Sequence, residues 1–406
     1  MNIDMSPNNG IHLNGSVESQ VEYPYVPMWA LVIFCGYVII WYLQIGYRVP
    51  ALGAIRFEFI YAAFLSIIAI ATGGLAQLSS PLIKYCALLL LCMFIQVPFS
   101  YDVTTSWTVF FDRVVKFAFM ALFIVSFVRS PRDLIFFLGA FLLACLKMGQ
   151  EGFWGQVTGG LVWQNQGIMR LHGATPLYEH PNSFAGMALG TLPFIYYLFP
   201  LANRWIKIVL LVLFGFSMLI VLFTGSRTGY VALCFIILFI IVRSKNRIKV
   251  LAVLTAVSLI AIPLVPDQYT ERFHSIFTGR DREGQSTEMR KEILQDAWQI
   301  FKSHPFGVGV SAFPAIRLET YGRSQDTHNL YLEVATNLGI QGFIVFALFI
   351  IQMILTLHRV EKSTFSQRIS LEGFLARSPP SLSKHLLSIE SHIADLRLLQ
   401  YTCIAI

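Results

Sequence analysis

A histidine that takes a proton from a hydroxyl, with arginines that hold an anion, is the simplest machinery for transfer onto an alcohol. One histidine in this chain is well placed for the first task. In SQDTHNLYLEVATNLGIQGF (324–343), His328 stands where a polar segment meets a long apolar run. Asp326 or Thr327 is expected to cap the helix that follows, which leaves His328 without a structural duty. Asn329, Glu333, Asn337 and Gln341 recur every four residues and predict a polar stripe down one helix face. Asn329 and Glu333 at its top are candidates to orient the imidazole.

Two arginines are candidates for the anion. TGSRTG (224–229) sets Arg227 between two glycines in a turn joining apolar runs. Its ordinary reading is an arginine that ends a helix and reaches for the membrane surface. A guanidinium on flexible backbone also suits a bidentate phosphate. Arg290 falls in the first turn of a helix predicted over 286–303 and capped by Ser286 or Thr287, where a cation opposes the helix dipole. A bound anion would compensate. Its neighbours Arg280, Arg282 and Lys291 read as a solvated basic stretch. RLHGATPLYEHPNSFAGM (170–187) adds Arg170, His180 and Asn182 as candidate supporting residues, although Pro181 and its neighbours also suit a helix start. No HExxH, Walker A or GxSxG motif occurs, and His172, His180, His274, His304 and His328 lack ligand spacing. Neither a metal nor a cofactor is expected.

These residues must be positioned by a membrane protein. The 406 residues are 55% hydrophobic and 13% charged, against about 25% charged in a soluble domain. The fold class expected is all-α, a polytopic integral membrane protein of about ten transmembrane helices. The predicted spans are 28–46, 53–72, 81–97, 111–128, 133–148, 183–200, 205–223, 229–242, 248–266 and 330–357. The expected division is a cytoplasmic leader (1–27), nine spans (28–266), a large periplasmic loop with an amphipathic surface helix (267–327), a last span (328–357) and a cytoplasmic tail (358–406). Within the tail, 381–400 has modest helical periodicity. The basic connector RSKNRIK (243–249) sets the orientation: both termini inside, and 149–182, 224–228 and 267–327 outside. Lys84, Arg129, Arg132, Arg204 and Lys207 then also fall inside. The net charge of +7 is accounted for by anionic lipid, so no nucleic-acid partner is expected. Six cysteines without a CxxC pair predict neither a disulfide framework nor a thiolate metal site.

Four stretches, in order, carry a family resemblance: HPN at 180–182, GSRTG at 225–229, MRKEILQDAWQIFKSHPFGVGVSAF at 289–313 and THNLYLEVATNLGIQG at 327–342. Together they resemble the O-antigen ligase and O-antigen polymerase-like superfamily of bacterial membrane glycosyltransferases over roughly residues 165–345. The resemblance implies an undecaprenyl diphosphate-linked glycan donor, an acceptor hydroxyl on a glycan, lipid or protein, and transfer at the periplasmic face of the inner membrane without a metal. It implies Arg227 and Arg290 as diphosphate-binding residues and His328 as the catalytic base. Members usually carry further spans after the HN motif, whereas here one helix and a polar tail follow. The rival expectations are a transporter or flippase of a lipid-linked or anionic substrate, and a non-catalytic component of envelope assembly.

Overall fold

The computed structural model describes residues 26–165, 167–244, 246–248, 251–252, 266–278 and 286–375. Helix α1 (Met28–Leu43) is followed by the short turns α2 (Ile45–Arg48) and α3 (Pro50–Ala54), then by α4 (Phe57–Ala71) and α5 (Pro81–Gln96). Helix α6 (Val103–Val109) passes through a π turn at Phe110–Val114 into α7 (Val115–Phe127). Then come α8 (Pro131–Thr158), an antiparallel hairpin of β1 (Val162–Asn165) and β2 (Ile168–Leu171), α9 (Pro181–Leu198), α10 (Arg204–Phe223) and α11 (Arg227–Arg243). The last elements are α12 (Asp267–Thr278), α13 (Ser286–Ser303), α14 (Phe313–Tyr321) and α15 (Leu330–Leu375).

Among the described residues, four helices are long and apolar enough to cross a membrane: Pro81–Phe99, Pro131–Thr158, Arg204–Phe223 and Leu330–Arg359. Met28–Leu43, Phe57–Ala71 and Arg227–Val242 are shorter apolar helices. The ninth expected span lies almost wholly outside the described residues, as do most of the leader and the tail helix. Lipid-facing character is plain in α10. Leu210, Leu213, Ser217, Ile220 and Val221 are buried on one face, while Trp205, Ile206, Leu211 and Phe214 are exposed on the other. The Thr191 and Ser217 hydroxyls meet at 2.9 Å between α9 and α10, a polar contact suited to helices in lipid.

The fifth helix corrects the sequence expectation. It runs ten residues beyond 148, because the polar residues that seemed to end it are partnered. Arg48 meets Glu151 at 2.7 Å and Lys147 lies 3.5 Å from the same carboxylate. Gly149 and Gly152 lie where a Cβ would press on Phe216 and Phe184, so this stretch is a packing surface. At the other end of α8, Ser130 and Asp133 form a capping box with Pro131 in the first turn.

The helices pack as two groups. One core joins α1, α4, α7, α8, α9 and α10, with Phe34, Phe123, Phe127 and Phe184 at most 1% exposed. In the other, α5 packs on α15, and α13 and α14 lie against α15. Antiparallel alternation gathers the loops at two ends. Arg129 donates to Thr72 O at 2.8 Å and Arg132 to Val26 O at 3.2 Å, so these loops share one end with the turns before α5 and α10. The hairpin, the starts of α9, α11 and α15, and the segment 304–329 gather at the opposite end.

That opposite end is locked by an interrupted helix. Gly339 (φ 70°, ψ −172°) breaks α15, and segment 305–310 docks its backbone into the break. Val308 N donates to Thr336 O, Gly309 N to Asn337 O and Ile340 N to Pro305 O, each at 2.9 Å. The other edge of the segment faces the α5–α6 connection: Tyr101 N donates to Val308 O at 2.7 Å and Ser106 Oγ to Val310 O at 2.6 Å. Backbone buried at a helix break must be paired this way. A Cβ on Gly307 would lie 2.6 Å from Gly339 N and 2.7 Å from Asn337 O, and one on Gly309 would collide with Ser100. Gly307→Ala and Gly309→Ala are therefore expected to lose about 1–3 kcal/mol or more from overpacking alone. Gly190→Ala, whose Cβ would meet nothing within 4 Å, is the tolerated control. The yield of monodisperse detergent-extracted protein checks this; equal yields for all three would refute the lock.

Candidate functional site

A deeply buried charge at this end is Arg170, on β2 opposite Trp163 and only 2% exposed. Its Nε donates to Thr224 O at 2.7 Å and its Nη2 to Asn182 Oδ1 at 3.0 Å. One side chain thus ties the hairpin to the end of α10 and the start of α9. Burial first, then the nearby guanidiniums of Arg272 and Arg227, lower its pKa to about 10. It stays cationic at neutral pH, in a region of positive potential.

The GSR turn lies under this grip. Thr224 ends α10, Gly225 adopts φ 57°, and Ser226 caps α11 by accepting from Gly229 N at 3.1 Å. A Cβ on Gly225 would lie 2.6 Å from Ile168 Cδ1 of the hairpin. The sequence therefore needs glycine here twice over, for conformation and for space. Arg227 begins α11, half-buried, rather than ending a helix. A cation in this first turn opposes the helix dipole.

Sequence reasoning missed Arg272. Helix α12 lies on the hairpin, with Tyr269 Oη donating to Met169 O at 2.9 Å. One turn on, Arg272 is 6% exposed, its Nε 3.5 Å from Gly225 O. The available signal was the three-residue spacing of Tyr269 and Arg272 in DQYTER, which puts both on one helix face. The structure brings Arg227 and Arg272 within electrostatic reach of Arg170. Arg290 stands exposed on α13, and the groups acting on Arg170 are Arg272, Tyr230 and Arg227.

His180 caps α9: its Nδ1 accepts from Asn182 N at 3.1 Å. Partial burial of the ring, then Arg170, then His328 hold its pKa below the ordinary histidine value. His180 thus lies within electrostatic reach of both Arg170 and His328.

His328 is exposed and adopts φ 51°, a left-handed conformation that costs a non-glycine residue roughly 1–2 kcal/mol. The turn is held by its neighbours. Thr327 is buried, and its hydroxyl engages the N–H and carbonyl of Asn329 at 3.3 and 3.2 Å. Among the described residues the imidazole itself makes no hydrogen bond.

Two expectations are corrected here. The cap of α15 is Asn329, whose Oδ1 accepts from Leu332 N at 3.1 Å, and not Asp326 or Thr327. The reason is the left-handed turn at His328, which delays the helix until Leu330. The polar stripe also does not run on. Asn337 Oδ1 accepts from Phe313 N at 3.1 Å, and Gln341 lies beyond the Gly339 break, donating to Phe306 O at 2.7 Å. Both hold the docked segment; only Asn329 and Glu333 remain at the start of the helix, Glu333 N donating to Asn329 O at 2.8 Å.

The approach to His328 is braced by α13 and α14. Helix α13 has the predicted bounds and buries Ile293, Ala297 and Ile300 against Val308, Phe313 and Ile316, leaving Trp298 outward. Fully buried Arg317 meets Asp296 at 2.9 Å and also bonds Gln325, three residues before His328. Arg317→Ala would strand Asp296, and losing one partner of a buried pair costs about 3–5 kcal/mol. The expected result is faster proteolysis of 304–329 in detergent with the membrane bundle intact; unchanged proteolysis would show the brace to be dispensable.

Among the described residues no three His, Cys, Asp or Glu side chains gather in a way that could hold a metal. A search of curated proteins found no match. Residues 186–347, which include Arg227, Arg272, Arg290 and His328, match the family model described as O-antigen ligase, so this part of the chain is similar to that family.

Proposed function

We propose that the protein transfers a glycan from an undecaprenyl diphosphate-linked donor to an acceptor hydroxyl at the periplasmic face of the bacterial inner membrane. The observation that carries this reading is the convergence at His180, which feels the charge of both the exposed His328 and the buried Arg170, itself within reach of Arg272 and Arg227. A base beside a positively charged pocket suits attack by a hydroxyl with departure of an anion.

In this mechanism His328 takes the proton from the acceptor hydroxyl as its oxygen attacks the anomeric carbon. The new carbon–oxygen bond forms as the bond to the diphosphate breaks, and the diphosphate leaves with the electron pair. Arg227 stabilises the charge building on it, and Arg290 draws the donor in from the surface. Arginines supply the positive charge, so no metal is needed. Arg170 acts as a positioning residue, holding the carbonyl beneath the turn that carries Arg227. The matched family model supports glycan chemistry. The test is to incubate purified protein in liposomes with an undecaprenyl diphosphate glycan and candidate acceptors. Release of undecaprenyl diphosphate with glycosylated acceptor is expected. Movement of the donor between leaflets without product would make the protein a transporter and overturn the proposal.

A further inference from the structure

His180 carries a constraint that its capping role alone does not use. Its Nδ1 accepts a hydrogen bond from Asn182 N, and a ring nitrogen that accepts is unprotonated. The ring proton of the neutral form therefore sits on Nε2. Asn182 is itself anchored by Arg170 at 3.0 Å, so the first turn of α9 fixes the direction of the ring. The residue is open to solvent although its ring is partly covered, and among the described residues Nε2 makes no hydrogen bond. Partial burial, Arg170 and His328 each disfavour the charged ring, which keeps it neutral at neutral pH.

We infer that His180 is a fixed, uncharged N–H donor that binds an anionic oxygen of the donor diphosphate, beside the charge of the arginine cluster. The inference rests on the reading given under Proposed function. An anionic oxygen is the favoured partner because Arg170, Arg227 and Arg272 make the neighbourhood positive, whereas a neutral hydroxyl gains little from that potential. His180 is excluded as the base: Nε2 has no lone pair to accept a proton, and Nδ1 could accept one only by breaking the cap. Two histidines at one doorway thus divide the work. His328 removes a proton, while His180 transfers none and holds the leaving group.

Asparagine is among the best N-caps, so His180→Asn keeps the helix start but withdraws the outward donor. The experiment measures binding of undecaprenyl diphosphate, undecaprenyl monophosphate, inorganic pyrophosphate and a nucleoside diphosphate sugar to purified protein in nanodiscs, with the pH–rate profile of transfer. His180→Asn is expected to melt like the wild type, to bind undecaprenyl diphosphate about tenfold more weakly or worse, and to leave the limbs of the pH profile in place. Equal affinity, or loss of the acid limb, would overturn the inference. His180→Gln keeps an N–H donor while weakening the cap. It covers the case of an unstable asparagine variant, and weak binding by folded His180→Gln also counts against the inference. Wild-type protein that binds no undecaprenyl diphosphate overturns the functional reading as well. Tighter binding of the nucleoside diphosphate sugar would assign the diphosphate to a soluble donor, against both.

Discussion

His328→Ala is expected to abolish glycan transfer while leaving the protein folded and inserted in the membrane. The ring is exposed, and among the described residues it holds nothing in place. The turn around it depends on Thr327 and Asn329. Losing a positioned base typically costs ~10²–10⁴-fold in rate. The left-handed backbone at φ 51° permits a control that separates chemistry from strain. His328→Gly relieves the conformational cost, and asparagine is one of the few side chains enriched in this region. Both variants are expected to be at least as stable as His328→Ala and equally inactive. Transfer in liposomes, with melting temperature as the folding readout, decides it. Normal glycan ladders in a His328→Ala complementation strain would remove the residue from the mechanism. Activity restored in the glycine variant would mean that the turn, and not the imidazole, is what the site requires.

Much of the layout of this candidate site was legible in the sequence because its residues stand at helix starts. His328, Arg227 and His180 each follow a polar or glycine-containing turn and precede an apolar run, so position and exposure could be read together. The long helices were legible for the same reason. What was hidden depends on distant pairing. Arg272 acts only because α12 lies on the hairpin through Tyr269 and Met169, a contact between residues a hundred positions apart. The α5–α6 connection falls between the expected spans 81–97 and 111–128 with no motif of its own, yet Ser100, Tyr101 and Ser106 hold the segment that fills the α15 break. The stripe at Asn337 and Gln341 misled because helical periodicity assumes an unbroken helix. A conformation of φ 70° with ψ −172° at Gly339 ends that assumption between the two residues. Glycine permits such a break without announcing it, since it also serves as a small packing residue in membrane helices.

Arg227→Lys is expected to lower kcat by about tenfold or more, and Arg290→Lys to act mainly on KM for the donor. Lysine keeps the charge but not the planar fork, so it tests bidentate binding directly. Arg227 is half-buried at the first turn of α11, just after a turn whose Thr224 carbonyl is held by Arg170. A donor group held in place before the reaction stabilises charge that builds in the transition state, and its loss falls on turnover. Arg290 is exposed on α13. In the proposed mechanism it would act by electrostatic attraction from the surface, which lysine largely reproduces and salt screens. Steady-state kinetics with an undecaprenyl diphosphate glycan, at low and high ionic strength, separates the two. Arg227→Lys should stay impaired at every salt concentration, while Arg290→Lys should differ from wild type only modestly. If both lysine variants turn over at the wild-type rate and affinity, the arginines do not clamp a diphosphate. The positive potential around Arg170 and Arg272 would then serve the folding of this end of the bundle alone.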